Sequence, residues 1–81
     1  REVDEKIQSL GRRAANAQKV VHSLYQRPVI NVAIVARVAE ISSTPAYKLI
    51  ADLERLEIIK EMTGAKRGRT YLFTSYVNLF T

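Results

Sequence analysis

Apolar residues recur four and three positions apart through the first part of the chain, which is the spacing of a heptad seam on one helix. This seam consists of Val3, Ile7, Leu10, Ala14, Ala17, Val21 and Leu24. Gly11 interrupts the pattern at a cost of up to about 1 kcal/mol relative to alanine. Pro28 ends it, because proline lacks a backbone donor and pushes Arg27 out of the helical region. The spacing predicts one long helix over residues 1–26.

Two interpretations of the seam remain open from the sequence. It can fold back on the core of its own chain, or it can pair with a second copy or with a domain outside these residues. Ala14 and Ala17 permit close helix approach but bury little area. We expect all seven seam residues to be buried in one of these two ways, and we take them as a candidate protein interface.

The middle of the chain predicts a short strand and two short helices. "PVIN", residues 28–31, is a β-branched segment that follows a proline, and Asn31 is placed to cap a helix over residues 32–39. In "SSTP", Thr44 is the predicted N-cap and Pro45 the first residue of the next helix. The predicted buried stripe of that helix is Ala46, Leu49, Ile50, Leu53 and Leu56. The residues off this stripe are Tyr47, Lys48, Ala51, Asp52 and Arg55.

The end of the chain predicts a β-hairpin and a closing turn. Strands over residues 58–63 and 70–73 are joined by "GAKRGR", whose glycines suit positive φ angles. "SYVNLF", residues 75–80, predicts one helical turn with Thr74 or Ser75 as its cap. The whole pattern predicts a mainly α fold with a small β-hairpin. In this order the elements form a winged helix-turn-helix domain over residues 28–81, preceded by a linker helix over residues 1–27.

A fold of this kind predicts where nucleic acid would bind. The second helix of the pair enters the major groove with its N-terminal residues forward, and the hairpin reaches the flanking backbone. Hydroxyl and amide groups at a helix start suit phosphate oxygens, as do cations on the hairpin. The candidate nucleic-acid contacts are Ser43, Thr44, Tyr47 and Lys48 on the helix, and Lys66, Arg67 and Arg69 on the hairpin.

The charge balance limits this prediction. The chain has 13 basic and 8 acidic residues, a net charge of +5 that favours an anionic partner without choosing among nucleic acid, membrane surface and acidic protein. Residues 28–73 contain 7 basic and 5 acidic residues, a balance of only +2. No Asn, Gln or Arg lies on the leading face of the second helix for bidentate reading of bases. Any DNA binding is therefore expected to be weak. The basic turn can equally be a solvated loop, and the domain would then act in protein interaction or dimerisation.

Several other classes of function find no support in the sequence. The absence of cysteine excludes disulfides, thiolate catalysis and cysteine zinc sites. No apolar run approaches the roughly 20 residues of a membrane span, and the charged start has no signal-peptide core, so we expect a cytoplasmic protein without a membrane partner. His22 is alone, and no phosphate loop or nucleophile–base pair stands out, so we expect no catalytic residue, metal or cofactor in this segment. Because the sequence has no initiator methionine, we expect it to be a piece of a longer protein.

Three stretches, "VARVAEISSTPAYKLIADLERLEIIKE", "TGAKRGRTYLF" and "YVNLF", resemble the C-terminal winged-helix segment of Fic-family proteins, which transfer AMP to proteins. The resemblance covers residues 27–80, although Glu40 and Glu57 stand where glycine is common. The family's catalytic signature, His-x-Phe-x-(Asp/Glu)-Gly-Asn-Gly-Arg, does not occur in the sequence. The resemblance therefore implies a non-catalytic accessory module of an ATP-using protein AMP-transferase. Its implied partners are the catalytic domain of the parent chain or a second copy, as a homodimer, with DNA as the alternative.

Overall fold

A computed structural model describes residues 2–62, 64 and 68–74 of the 81-residue chain. The helices are α1 (Glu2–Gln8), α2 (Ala14–Gln26), α3 (Val32–Ala39) and α4 (Ser43–Arg55), with a 3₁₀ turn (Gly11–Arg13) between α1 and α2. The strands are β1 (Val29–Ile30), β2 (Ile59–Glu61) and β3 (Tyr71–Phe73). The prediction of a mainly helical fold with a small antiparallel hairpin is confirmed, and the short strand after Pro28 is present. The closing turn predicted for residues 75–80 lies outside the described residues.

The N-terminal segment is two helices rather than the single long helix that the spacing predicted. The chain turns at Gly11, whose φ is +61°, before α2 begins. Glycine adopts this left-handed conformation without a steric penalty, whereas continuing the helix through it would cost about 1 kcal/mol. In the broken arrangement Ile7, which lies in α1, is completely buried, with 0% of its surface exposed. Burial of such a side chain contributes about 1.5–3 kcal/mol, which favours the broken path.

The apolar seam lies in the core of its own chain, which is the first of the two alternatives left open by the sequence. Its buried members are Ile7, Leu10, Ala17, Val21 and Leu24, while Val3 and Ala14 are half-buried against them. They pack with residues of α3, α4 and the sheet in one apolar cluster. The buried members therefore have almost no surface to offer to a second copy in this fold.

The start of α3 agrees with the sequence, but the start of α4 does not. The Asn31 side chain accepts a hydrogen bond from the Ile34 N–H at 2.9 Å, as expected of an N-cap. In α4 the N-cap is Ser42, so Thr44 is the second helical residue and Pro45 the third. Proline is tolerated there because the first amides of a helix have no partner within it. The predicted cap at Thr44 was therefore wrong by two residues.

Both helices of the α3–α4 pair end at a glutamate in the left-handed region. Glu40 has φ +57° and Glu57 has φ +61°. After α4, the Ile58 N–H donates to the Leu53 carbonyl at 2.9 Å and the Glu57 N–H donates to the Glu54 carbonyl at 3.0 Å. These are the two bonds of a Schellman motif, and α3 ends with the corresponding pair. The chain thus keeps the turn geometry that is usual for glycine while placing glutamate there.

We expect Glu57→Gly to raise the free energy of unfolding by up to about 1 kcal/mol. The left-handed conformation costs an L-residue about 1–2 kcal/mol, and the greater freedom of glycine in the unfolded chain offsets about 0.4–1 kcal/mol of the gain. Glu54→Gly is the matched control, and because Glu54 lies inside α4 it should lower the same free energy by about 1 kcal/mol. Urea denaturation measures both. Equal destabilisation by the two variants would contradict the left-handed end of α4.

The three strands form an antiparallel sheet in the order β1-β3-β2. Ile59 lies opposite Phe73, and Ile30 lies opposite Tyr71. The hairpin continues one step beyond the strands, where the Met62 N–H donates to the Thr70 carbonyl at 2.8 Å. This confirms the predicted hairpin, and it places β3 between its partners at the centre of the sheet.

Asp52 is buried, although the sequence placed it off the buried stripe. Its Oδ2 lies 2.6 Å from the Arg13 Nε, and its Oδ1 accepts a hydrogen bond from Arg55 at 3.2 Å. The Oδ2 atom has this charge partner but no hydrogen bond, because the Arg13 contact is not in hydrogen-bonding geometry. The turn at Gly11 brings Arg13 to α4, and the ion pair then joins the 3₁₀ turn to that helix.

Candidate nucleic-acid interface

The first half of α4 presents a polar face to solvent. Its buried side is formed by Ala46, Leu49, Ile50 and Leu53, which fix the rotation of the helix about its axis. The side chains predicted to contact nucleic acid, Ser43, Thr44, Tyr47 and Lys48, are all exposed. Tyr47 is the largest of them in apolar area and is 62% exposed. The packing of α4 thus leaves the whole predicted set accessible.

The electrostatics of this face favour an anion. No acidic residue lies in the first turn of α4, where the helix dipole contributes partial positive charge and the amide groups lack helical partners. Lys48 adds a full positive charge one turn further along α4. Asp52 lies one turn beyond Lys48 on the same helix, but Arg13 and Arg55 pair with its carboxylate. The Asp52 carboxylate is therefore engaged by arginines rather than by Lys48 near the positive end of α4.

A groove of about 670 Å³ runs between α4 and the hairpin. Its lining residues are Asn31, Val32, Ala33, Tyr47, Ile50, Gly68, Arg69 and Tyr71. The structure thus brings Tyr47 from α4 and Arg69 from the hairpin to one groove, and none of the described residues that line it is acidic. The contribution of the α3 start was missed by sequence reasoning, since the only local signal there was the capping role of Asn31.

The hairpin loop is described only at its two ends. Gly64 and Gly68 have φ angles of +65° and +63°, as the sequence predicted. The Gly64 N–H donates to the Glu61 carboxylate, and Arg69 is exposed at the start of the return path. Lys66 and Arg67, the other two predicted contacts, lie outside the described residues.

Two further concave surfaces were not predicted. A groove of about 810 Å³ follows α1 and α2, with Ile7, Lys19, His22 and Tyr25 among its lining residues. Tyr25 is 66% exposed, and its ring meets the Phe73 ring nearly at right angles with a centroid distance of 5.0 Å. A smaller pocket of about 360 Å³ between α2, β1 and α3 includes Arg27 and Arg37.

The described part of the chain holds no group of three or more His, Asp and Glu side chains placed to bind a metal ion. Within the same residues, no helix has both the length and the apolar character needed to cross a bilayer. Comparison with protein-family models, with curated proteins and with solved structures finds no match to this chain. The geometry and charge of the α4–hairpin groove are therefore the features of this chain that indicate a function.

Proposed function

We propose that this chain is a winged helix-turn-helix module that binds the backbone of nucleic acid with little sequence preference. The observation that carries the proposal is the meeting of the exposed, acid-free start of α4 with Arg69 across one groove. In such a module α4 points its N-terminus at the nucleic acid, and the hairpin contacts the flanking backbone.

The side chains on this face suit phosphate better than base edges. Ser43 and Thr44 supply hydroxyl donors beside the free amides of the helix start, and Lys48 supplies a point charge. The face carries no Asn, Gln or Arg on α4 to form a bidentate pair with a base. Most of the affinity would therefore come from phosphate contacts, which release counterions and make binding sensitive to salt.

A second candidate function is the accessory role that the Fic resemblance implies. We propose for it a contact with the catalytic domain of a parent protein AMP-transferase, which would use ATP, or with a second copy of this chain. The observation that favours it is the groove along α1 and α2, where Tyr25 and His22 are exposed beside Ile7 and Val21. The groove includes two residues of the heptad seam, Ile7 and Val21, but both are buried, so its accessible side chains come from outside the seam.

We expect Lys48→Ala to weaken binding to all nucleic acids alike and to flatten the dependence of log K on log salt by about 1, since each phosphate contact contributes roughly 0.9 to that slope. Fluorescence anisotropy with a labelled oligonucleotide measures both effects.

Replacing Lys66 and Arg67 together with alanine should flatten the slope of log K against log salt by about 2, if each contacts one phosphate.

Lys19→Ala is the matched control for Lys48→Ala. It removes the same charge from an exposed position on α2, in the groove beside α1. We expect it to leave the slope unchanged. If Lys19→Ala weakens binding as much as Lys48→Ala, attraction follows net charge rather than the α4 face, and the proposed interface is wrong.

A further inference from the structure

We infer that the groove between α4 and the hairpin binds an unpaired nucleotide base, so that the module prefers single-stranded nucleic acid to continuous duplex. The inference rests on the proposed function and names its substrate class. The groove encloses about 670 Å³, within the roughly 300–1,000 Å³ that is usual for pockets holding small organic ligands. Its apolar lining consists mainly of Val32, Tyr47, Ile50 and Tyr71.

Tyr47 is the side chain that gives the groove its specificity for a base. It is 62% exposed although it borders an apolar groove, so its ring offers an aromatic surface next to space that a planar group can fill. Tyr25 is similarly exposed, but its ring contacts Phe73. Stacking of a base on an aromatic side chain typically changes affinity by about 5- to 150-fold and tolerates any of the bases.

The polar residues of the groove fit the rest of a nucleotide. Arg69 brings a guanidinium group, which binds phosphate and also stacks on bases. The Asn31 side-chain oxygen already accepts from the Ile34 N–H, so its amide NH₂ is the remaining donor for a base acceptor. Among the lining residues that the structure describes, no acidic side chain is present to repel a phosphodiester.

An intact duplex cannot fill this groove. Bases within a duplex are stacked on one another and present only their edges, so the face of a base reaches a protein ring only when the base is unpaired. The face of α4 lacks side chains for bidentate reading of those edges. The groove therefore matches a strand, a loop or a frayed end better than it matches the major groove of a duplex.

The test compares two labelled probes by fluorescence anisotropy at one salt concentration, a 20-nucleotide single strand and the duplex of the same sequence. We expect the strand to bind at least about 5-fold more tightly. Tyr47→Ala should weaken strand binding by about 5- to 150-fold and change duplex binding less than about twofold, whereas Tyr47→Phe keeps the ring and the affinity. Circular dichroism should show unchanged melting for both variants, because Tyr47 is exposed.

The outcomes separate this inference from the proposed function. Equal affinity for strand and duplex, with Tyr47→Ala and Tyr47→Phe behaving alike, overturns the inference and leaves backbone binding standing. A mononucleotide that competes with the strand at comparable concentration also overturns it, because the ligand is then a free nucleotide. Failure of both probes to bind contradicts the proposed function itself.

Discussion

Replacement of Phe73 by alanine is expected to lower the free energy of unfolding by about 3–5 kcal/mol, the cost of emptying a large buried aromatic site. Phe73 is 2% exposed in the central strand of the sheet, and its ring packs nearly perpendicular to that of Tyr25. A domain of this length has a total stability of roughly 4–12 kcal/mol, so the variant loses a large part of its margin and should unfold at a much lower urea concentration. Urea denaturation followed by circular dichroism measures the loss.

Leu72→Ala is the neighbouring control for this experiment. Successive residues of a strand point to opposite faces, and Leu72 is only half-buried between two buried aromatic residues. We expect its truncation to cost well under half as much as that of Phe73. Comparable losses at the two positions would mean that the register of the hairpin is shifted, since a slip of one residue exchanges the two faces of a strand.

The second large effect is expected at Leu24, a seam residue with 0% of its surface exposed. Leu24→Ala should lower the free energy of unfolding by about 2–5 kcal/mol, as truncation of a buried leucine does, without any change in the mass of the native species. Sedimentation equilibrium measures the mass and urea denaturation measures the free energy of unfolding, on the same samples. The exposed Lys19 on the same helix provides the control, and Lys19→Ala should change stability by no more than about 0.5 kcal/mol.

The Leu24 variant also distinguishes the two ways in which the heptad seam can be buried, within one chain or between two copies. If the seam joined two copies of the chain, Leu24→Ala would convert a dimer to a monomer, and stability would depend on protein concentration. A fall in mass with little loss of monomer stability would therefore contradict the intrachain packing seen in the structure.

The parts of the fold that depend on neighbouring residues were predictable from the sequence. The Asn31 cap, the buried stripe of α4 and the hairpin each follow from spacing or from turn chemistry within a few residues. The N-cap of α4 was misplaced because Ser42, Ser43 and Thr44 all carry a hydroxyl group just before Pro45, and propensity alone does not separate them. Only the packing of α4 decides which of the three precedes the helix.

The features that the sequence did not reveal arise from contacts between distant segments. The sequence identifies Gly11 as a position that weakens a helix. Whether the chain turns there depends on the burial that Ile7 gains in the core. The pair of Asp52 and Arg55 is local, with an i,i+3 spacing, whereas the Arg13 contact depends on the turn at Gly11. The burial of Asp52 could therefore not be predicted from α4 alone.

The candidate site also has one part that the sequence predicted and one part that depends on contacts between distant segments. The exposed set on α4 follows from the buried stripe of that helix, so the sequence predicted it. The joining of Tyr47 and Arg69 in one groove, with Val32 from α3 in its wall, depends on how the hairpin folds against the helix pair. With both residues in one groove, the aromatic ring suits the face of a base and the guanidinium suits a phosphate.

The most direct test of the central claim, that the α4 start and the hairpin form a phosphate-binding face, is a salt titration of oligonucleotide binding by fluorescence anisotropy. Three or four phosphate contacts predict that log K falls linearly with log salt with a slope of roughly −3 to −4 on duplex. A slope near zero, or no binding at the lowest salt concentration, would contradict the claim and leave the groove along α1 and α2 as the surface to pursue.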